Sequence, residues 1–366
     1  MSIRVVQLDP SDEWTLKRMR ALRERVYGDD DDYCPPMKGA LKKQLRHPKF
    51  ASRQRVFMVR RTGEDVGCVV VRHNDKMALD GRSVATIGNF EALHDPEAAG
   101  ALLSHAAAVA RDEGAEEVIG PMIGDTWQKF RLNLGPWDEP PFFLEPYNPS
   151  YYSELWRQAG FEVLQTYRSL RVDDLAGAAR YHQPRWASAR ALGYRIEPMS
   201  QSSADEALQR VHEMWSVAFA QNYLYTPIRL PTFKKIYNGL ASVVTDAFSL
   251  FLIDRHGRDA GFALVFPDYA RAVAAMNGKR HLLAKLRFLT HRDTDTVNIK
   301  SYGVMPEHRG KGLASAMAHR FFDDIAREGY DKANICLIHD DNDASRHIDA
   351  HRGRVLRRYA LYRAPE

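Results

Sequence analysis

Two glycines one residue apart, Gly310 and Gly312, stand where a strand pattern gives way to a helix pattern. Upstream, Val297-Asn298-Ile299-Lys300-Ser301-Tyr302-Gly303-Val304 mixes β-branched and aromatic residues with polar ones, as a strand does. Downstream, Leu313, Met317, Phe321 and Ile325 recur at helical spacing, and Gly329 supplies the stop. His319, Arg320, Asp323, Asp324, Arg327 and Glu328 occupy the other faces. Glycine at such a junction allows close approach to the main chain, and the first helical N–H groups have no partner within the helix. The positive end of the helix dipole adds to them, so the turn suits an anion and a diphosphate in particular.

Three kinds of glycine-rich phosphate loop compete for this stretch. A Walker A loop needs a longer gap between its glycines and ends in Lys-Ser/Thr, which is missing. A dinucleotide fingerprint needs a strand running straight into the first glycine, yet Pro306-Glu307-His308-Arg309 intervenes. The third fits. Arg309-x-x-Gly312-x-Ala314, preceded by Val304-x-Pro306, resembles the acyl-coenzyme-A loop of the GNAT superfamily of N-acetyltransferases. Asn342-x-x-Ser345 followed by Arg352-Gly353 and Val355 is similar to the segment in which an Asn-led helix precedes the last strand of that family. Asn148-Pro149-Ser150-Tyr151-Tyr152, through Ala159-Gly160-Phe161, is a parallel match in the first half. Together with Pro140-Pro141-Phe142 and Pro267-Asp268-Tyr269, these phrases resemble a bacterial group of tandem, two-copy GNAT-like proteins.

That resemblance implies an acetyl-CoA co-substrate and an amine acceptor, either a small molecule or a peptide. Backbone near Val304 and Met305 would polarise the thioester carbonyl. Arg309, Gly310, Lys311, Gly312, Leu313 and Ala314 would hold the pyrophosphate, and Asn342 and Ser345 would face the cofactor arm. Many family members carry a tyrosine seven residues after the Asn, where this chain has Asp349. A carboxylate serves as proton donor only where burial raises its pKa, so the donor is sought at Asp349, at Tyr302 or in water, or else turnover is inefficient. His308, His339 and Asp340 are possible bases, read by default as exposed loop residues. A non-catalytic acyl-CoA-binding or protein-interaction module is the alternative.

Segment order predicts the fold class. Strand, helix, hairpin, strand, helix, strand runs from Ile3 to Ile119 and returns from Gly193 onward. The reading is α/β: two tandem mixed domains, each a mostly antiparallel twisted sheet flanked by helices. The boundaries expected are 1–175 and 185–366, with a joint near Leu175 to Arg185. Counting back from each terminating glycine aligns Gly312 with Glu97, so the first copy offers His94-Asp95-Pro96-Glu97 in place of the phosphate loop. Asp95 there is an N-cap carboxylate and Pro96 lacks an N–H, which leaves a phosphate little to bind.

A chain of 366 residues, 45% hydrophobic and 27% charged, is long enough for two packed domains. Its net charge of +5 is spread out except at Arg352, Arg354, Arg357, Arg358 and Arg363, read as a solvated strand face or a hold on an anionic cofactor rather than a nucleic-acid site. Three scattered cysteines argue against a disulfide framework, no apolar run has membrane-spanning length, and Met1-Ser2-Ile3-Arg4 lacks the apolar stretch of a secretory leader. The expected location is the cytoplasm. His347 and His351 lack a third ligand at a telling spacing, so no metal is expected. Asp29 to Asp32 reads as a solvated loop. The aromatic stretches Tyr223 to Pro227 and Trp137 to Tyr152 are candidates for an acceptor pocket.

Overall fold

The computed structural model describes all residues except 1, 51, 238–247 and 342–352. They form two compact units, neither continuous in sequence. The first comprises Met1–Tyr167, Ala270–His291 and Arg357–Glu366, and the second Arg168–Tyr269 and Arg292–Leu356.

In the first unit, strands β1 (Ile3–Leu8), β2 (Gln54–Arg61), β3 (Glu64–Leu79), β4 (Arg82–Ala92) and β5 (Glu117–Gly120) lie side by side in chain order. The first four are mutually antiparallel and β5 is parallel to β4. Helix α1 (Glu13–Tyr27) follows β1, capped by the Asp12 carboxylate, and buries Leu16, Met19 and Leu22. A short helix α2 (Ala40–Leu45) precedes β2, and α3 (Pro96–Asp112) makes the crossover between β4 and β5. Leu102, Leu103, Ala106 and Ala110 of α3 enter a core with Val69, Ile87, Trp156 and Tyr362. Tyr362 belongs to β13 (Arg354–Arg363), which pairs antiparallel with β5 and with β6 (Leu132–Gly135). The end of the last strand thus joins the strands of the first unit, where Ala360 and Tyr362, and Ala364 just after the strand, are buried. Helix α4 (Tyr152–Gln158) supplies Trp156, and β7 (Glu162–Val172) runs out of this unit. Two short helices, α8 (Ala270–Ala275) and α9 (Leu282–Thr290), also belong here, tied by the Lys38 N–H to the Gly278 carbonyl at 2.8 Å.

The second unit repeats the pattern. Helix α5 (Leu175–Ala191) is followed by β8 (Arg195–Pro198), α6 (Ala204–Ala218), α7 (Leu230–Tyr237), β9 (Leu250–Ile253), β10 (Asp259–Pro267), β11 (Thr296–Val304), α10 (Leu313–Arg327) and β12 (Lys332–His339). Its strand order is β8-β9-β10-β11-β12, closed beyond β12 by the end of β7. All pairs from β8 to β11 are antiparallel, and β11 with β12 is parallel. The Ser203 hydroxyl accepts from the Glu206 N–H at 3.2 Å and starts α6, as the Ser-Ala-Asp-Glu pattern predicts. The core gathers Leu250, Leu252, Val265, Val297 and Ile299 from the sheet with Met317, Phe321 and Ile325 from α10. Within each unit the strands are mixed, mostly antiparallel and flanked by helices, so the fold class read from the sequence is the one found.

Leu175 to Arg185, read as a joint in the sequence, forms part of α5: Asp174 accepts the Gly177 N–H at 2.7 Å, and Leu175, Ala178, Ala179, His182 and Ala189 are buried at helical spacing. Gly177 and Pro184 hide that pattern in the sequence. The C-terminal arginines are not a uniform solvated face, since Arg357 is buried against Glu145 with Nε 3.1 Å from the carboxylate. The acidic run is a loop with Asp29, Asp31 and Asp32 exposed, in which Asp30 accepts from the Tyr147 hydroxyl at 2.8 Å. Among the described residues no helix is long and apolar enough to cross a membrane, and no cluster of metal-ligating side chains occurs.

Candidate functional site

The glycine junction sits at the N-terminus of α10. After β11, Pro306–His308 forms a single 3-10 turn, held by the His308 N–H to the Met305 carbonyl at 2.9 Å. Gly310 and Gly312 then adopt φ values of +78° and +69°, the left-handed region in which a side chain is strained. Gly312 is the N-cap and provides no side-chain acceptor. The first helical bond is from the Ala316 N–H to the Gly312 carbonyl at 3.0 Å. Among the described residues, the N–H groups of Gly310 to Ser315 therefore meet no acceptor in the chain. Open N–H groups at the positive end of a 15-residue helix are an arrangement that attracts negative charge.

Side chains frame that site. Arg309 donates to the Ala218 carbonyl at 2.7 Å and the Val304 carbonyl at 3.3 Å, so it braces the loop. The Lys311 ammonium lies 3.3 Å from the Tyr194 hydroxyl, which is itself 2.9 Å from Nδ1 of His308. His308 is buried, contrary to the exposed-loop reading, because the 3-10 turn folds it inward onto Tyr194. Arg185 of α5 passes beside Gly312: a Cβ there would lie 3.1 Å from its Cδ. His182 of α5 is hydrogen-bonded to the Ser315 hydroxyl, and His319 of α10 to the Ala179 carbonyl at 2.9 Å. The sequence reading does not single out Tyr194, Arg185 or His182. Helix α5 brings His182 and Arg185 to the loop, while Tyr194 comes from the turn after that helix.

The sheet opens beside the loop. Strand β11 pairs with β12 only from Thr296 to Ile299, while its pairing with β10 continues to Val304. The register shift against β10 falls at Lys300, between the Ile299–Val265 and Ser301–Leu264 pairs. On β12, Leu337 takes φ +59° and its N–H donates to the Ser169 hydroxyl at 2.9 Å, turning that strand away. The two parallel strands thus splay, leaving main-chain edge at the level of Tyr302 to Val304 where an extended amide-bearing chain can add. Tyr302 packs against Phe321 with ring centroids 6.0 Å apart, and burial pushes its phenol pKa up. Val304 faces the same core, and the Met305 N–H is spent on the Ala260 carbonyl at 2.9 Å. Behind the splay, Arg171 donates to Asn334 at 2.6 Å and Asn334 to Asn298 at 2.8 Å, a buried polar chain across the strands. Asn342, Ser345 and Asp349, together with His347 and His351, lie outside the described residues. Asp340 is paired with Arg168 at 2.8 Å, and the Tyr223 ring lies 5.8 Å from that of His339.

The first unit is closed at both matching places. The Asp95 carboxylate accepts the Ala98 N–H at 3.1 Å, with Pro96 following, and Arg61 binds Asp95 at 2.6 Å and Glu97 at 2.8 Å. The opening between β4 and β5 is filled by the chain itself, the Met122 N–H reaching the Ile87 carbonyl at 2.8 Å. A Cβ on Gly88 would stand 2.3 Å from the Met122 carbonyl oxygen, so nothing else fits there. Trp137, Glu139, Tyr147 and Tyr151 line a separate cavity of about 300 Å³ in this unit, with Asp30 and Asp32. Asp95→Ala is expected to cost about 1 kcal/mol of stability through the lost cap. Thermal melting would measure it, and a variant as stable as wild type would show that the cap contributes nothing.

Residues 208–348 match the Acetyltransferase (GNAT) family. Over its length the chain is 24% identical to the bacterial ceramide synthase of Caulobacter vibrioides, covering 96% of this chain and 94% of that one. It is 21% identical to protein YghO of Escherichia coli K12, covering 95% and 92%. Among solved structures, a tandem GNAT protein from the clavulanic acid biosynthesis pathway superposes with a TM-score of 0.52 at 13% identity, over 100% of both chains. A probable N-acyltransferase from Enterococcus faecalis V583 gives 0.56 at 9% identity, over 99% of this chain and 72% of that one.

Proposed function

We propose that this chain, a tandem protein of GNAT fold, is an N-acyltransferase that uses a coenzyme A thioester, with the chemistry in its second unit. The observation that carries this reading is the open N–H array from Gly310 to Ala314 beside the splayed strands β11 and β12. The array and the Lys311 and Arg185 cations take the diphosphate. The pantetheine amides extend along the β11 edge, which aims the thioester carbonyl at the backbone near Val304. An amine nitrogen attacks that carbonyl carbon, the C–N bond forms and the C–S bond breaks. The ammonium loses a proton, the leaving thiolate gains one, and an amide and free coenzyme A result.

Tyr302 lies just beyond the point where β11 parts from β12, and its phenol, protonated near neutral pH, is the proposed proton donor, although burial raises its pKa and makes it a weaker acid. Asp349 is the other proposed donor, and Asn342 and Ser345 the proposed contacts to the cofactor arm. Tyr302→Phe is expected to lower kcat by about 100-fold with KM for the thioester unchanged. Activity within about threefold of wild type, a range set by the spread of packing effects, would assign Tyr302 to packing alone.

Acetyl-CoA is the simplest donor, with a small-molecule or peptide amine as acceptor. A second reading has a specific support: the relative named bacterial ceramide synthase aligns over nearly the whole chain. A ceramide is the amide of a fatty acid and a long-chain amino alcohol, so that similarity favours a fatty acyl donor and a lipid amine. Thiol release distinguishes these. Acetyl- and palmitoyl-CoA are each offered with polyamines, amino acids, peptides and long-chain amino alcohols, and free thiol is followed. Amine-dependent release identifies the pair. Tight thioester binding without release in any combination would indicate an acyl-CoA-binding module instead.

A further inference from the structure

Residues Ala270–His291 contain no aspartate or glutamate but include Arg271, Lys279, Arg280, Lys285 and Arg287. None of these five cations enters an ion pair among the described residues. Within this segment α9 turns its apolar residues outward. Leu282, Leu283, Leu286 and Leu289 are 73%, 65%, 48% and 52% exposed. At about 100° per residue the four leucines share an arc of roughly 120°. Ala284, buried, and Phe288, half-buried, define the opposite face. Lys285 borders the leucine arc on one side and Arg287 on the other. A helix on a water-facing surface normally shows the reverse arrangement, with leucines inward and charges outward. Four neighbouring exposed leucines form a patch that a surface in water does not keep without a partner.

We infer that α9 is a docking surface for an anionic lipid bilayer. The leucine arc enters the boundary between headgroups and acyl chains, and Lys285 and Arg287 extend sideways to the phosphates. Arg271, Lys279 and Arg280 add attraction to the same negative surface, while the absence of carboxylates removes repulsion. A protein partner would require matched acidic groups and a shaped pocket, whereas a bilayer asks only for this combination of exposed apolar arc and unpaired cations. The helix has 9 residues, so it lies in the interface and does not span. The His281 side chain caps α9 by accepting the Ala284 N–H at 3.3 Å, and the Lys38 N–H donates to the Gly278 carbonyl at 2.8 Å, which ties the segment to the rest of its unit. Bilayer docking does not depend on the proposed transfer reaction.

Co-sedimentation of the full chain with unilamellar vesicles tests it. Wild type is expected to bind phosphatidylcholine vesicles containing phosphatidylglycerol, and to bind pure phosphatidylcholine at least about tenfold more weakly, with salt weakening the former. Leu282→Glu with Leu286→Glu, and separately Lys285→Glu with Arg287→Glu, should each reduce binding by about tenfold or more while melting like wild type. Three results would overturn the assignment: no binding to either vesicle, vesicle binding unchanged in both variants, or a dimer of wild type that the leucine variant dissolves while vesicles capture neither. Should the leucine variant fail to fold, the charge-reversal pair and the salt dependence still decide.

Discussion

Gly312→Glu is expected to weaken coenzyme A thioester binding by more than about 100-fold, the largest functional effect anticipated for one substitution. Three causes act together. At φ +69° a side chain is strained, costing about 1–2 kcal/mol of stability. Its Cβ would press on Arg185 at 3.1 Å and displace a cation from the loop. The added carboxylate would compete for the open N–H groups and repel a diphosphate. Glu97→Gln, at the aligned position of the first unit, is expected to leave binding unchanged, because Asp95 and Pro96 already close that helix start. Isothermal titration of both variants measures this. Binding lost in the Glu97 variant and retained in the Gly312 variant would reverse the roles of the units.

The second large effect is on stability. Glu145→Ala should destabilise the first unit by about 3–5 kcal/mol, because it leaves the Arg357 guanidinium buried without its carboxylate. Glu145 also accepts from the Tyr359 hydroxyl at 2.5 Å and the Phe142 N–H at 3.0 Å, so both donors lose their partner too. The carbonyls of Pro136, Glu139 and Pro140 remain around Arg357, which limits the damage without replacing a negative charge. Lys42→Ala makes the comparison: its pair with Glu13 is exposed on both sides, where solvent screening leaves little net stabilisation. Denaturant unfolding separates the two, and equal effects would show that the Glu145 pair contributes no more than a surface bridge.

The glycine junction is legible in the sequence because its physics is local. Two left-handed residues, a capless helix start and a preceding strand can all be read within about 20 residues. The closed state of the first unit is legible for the same reason, since Asp95-Pro96 states its own capping chemistry. What stays hidden depends on distant pairing. Strand β13 carries a continuous apolar run, Tyr359-Ala360-Leu361-Tyr362, that suits burial on both faces in any sheet, so nothing in its sequence says that Tyr362 packs beside Trp156 of the first unit. Helix α5 reads as a joint because Gly177 and Pro184 interrupt it, although its alanines keep helical spacing. His308 reads as exposed because its partner Tyr194 is more than 100 residues earlier. The outward leucines of α9 look like an ordinary core stripe until the structure shows Ala284 on the inner face.

The most direct test of the central claim is a crystal structure of the protein with acetyl-CoA. The diphosphate is expected within hydrogen-bonding distance of the N–H groups from Gly310 to Ala314, with the pantetheine arm along β11 near Val304. Density for the nucleotide at the Asp95 helix start, or anywhere away from the Gly312 loop, would contradict that claim.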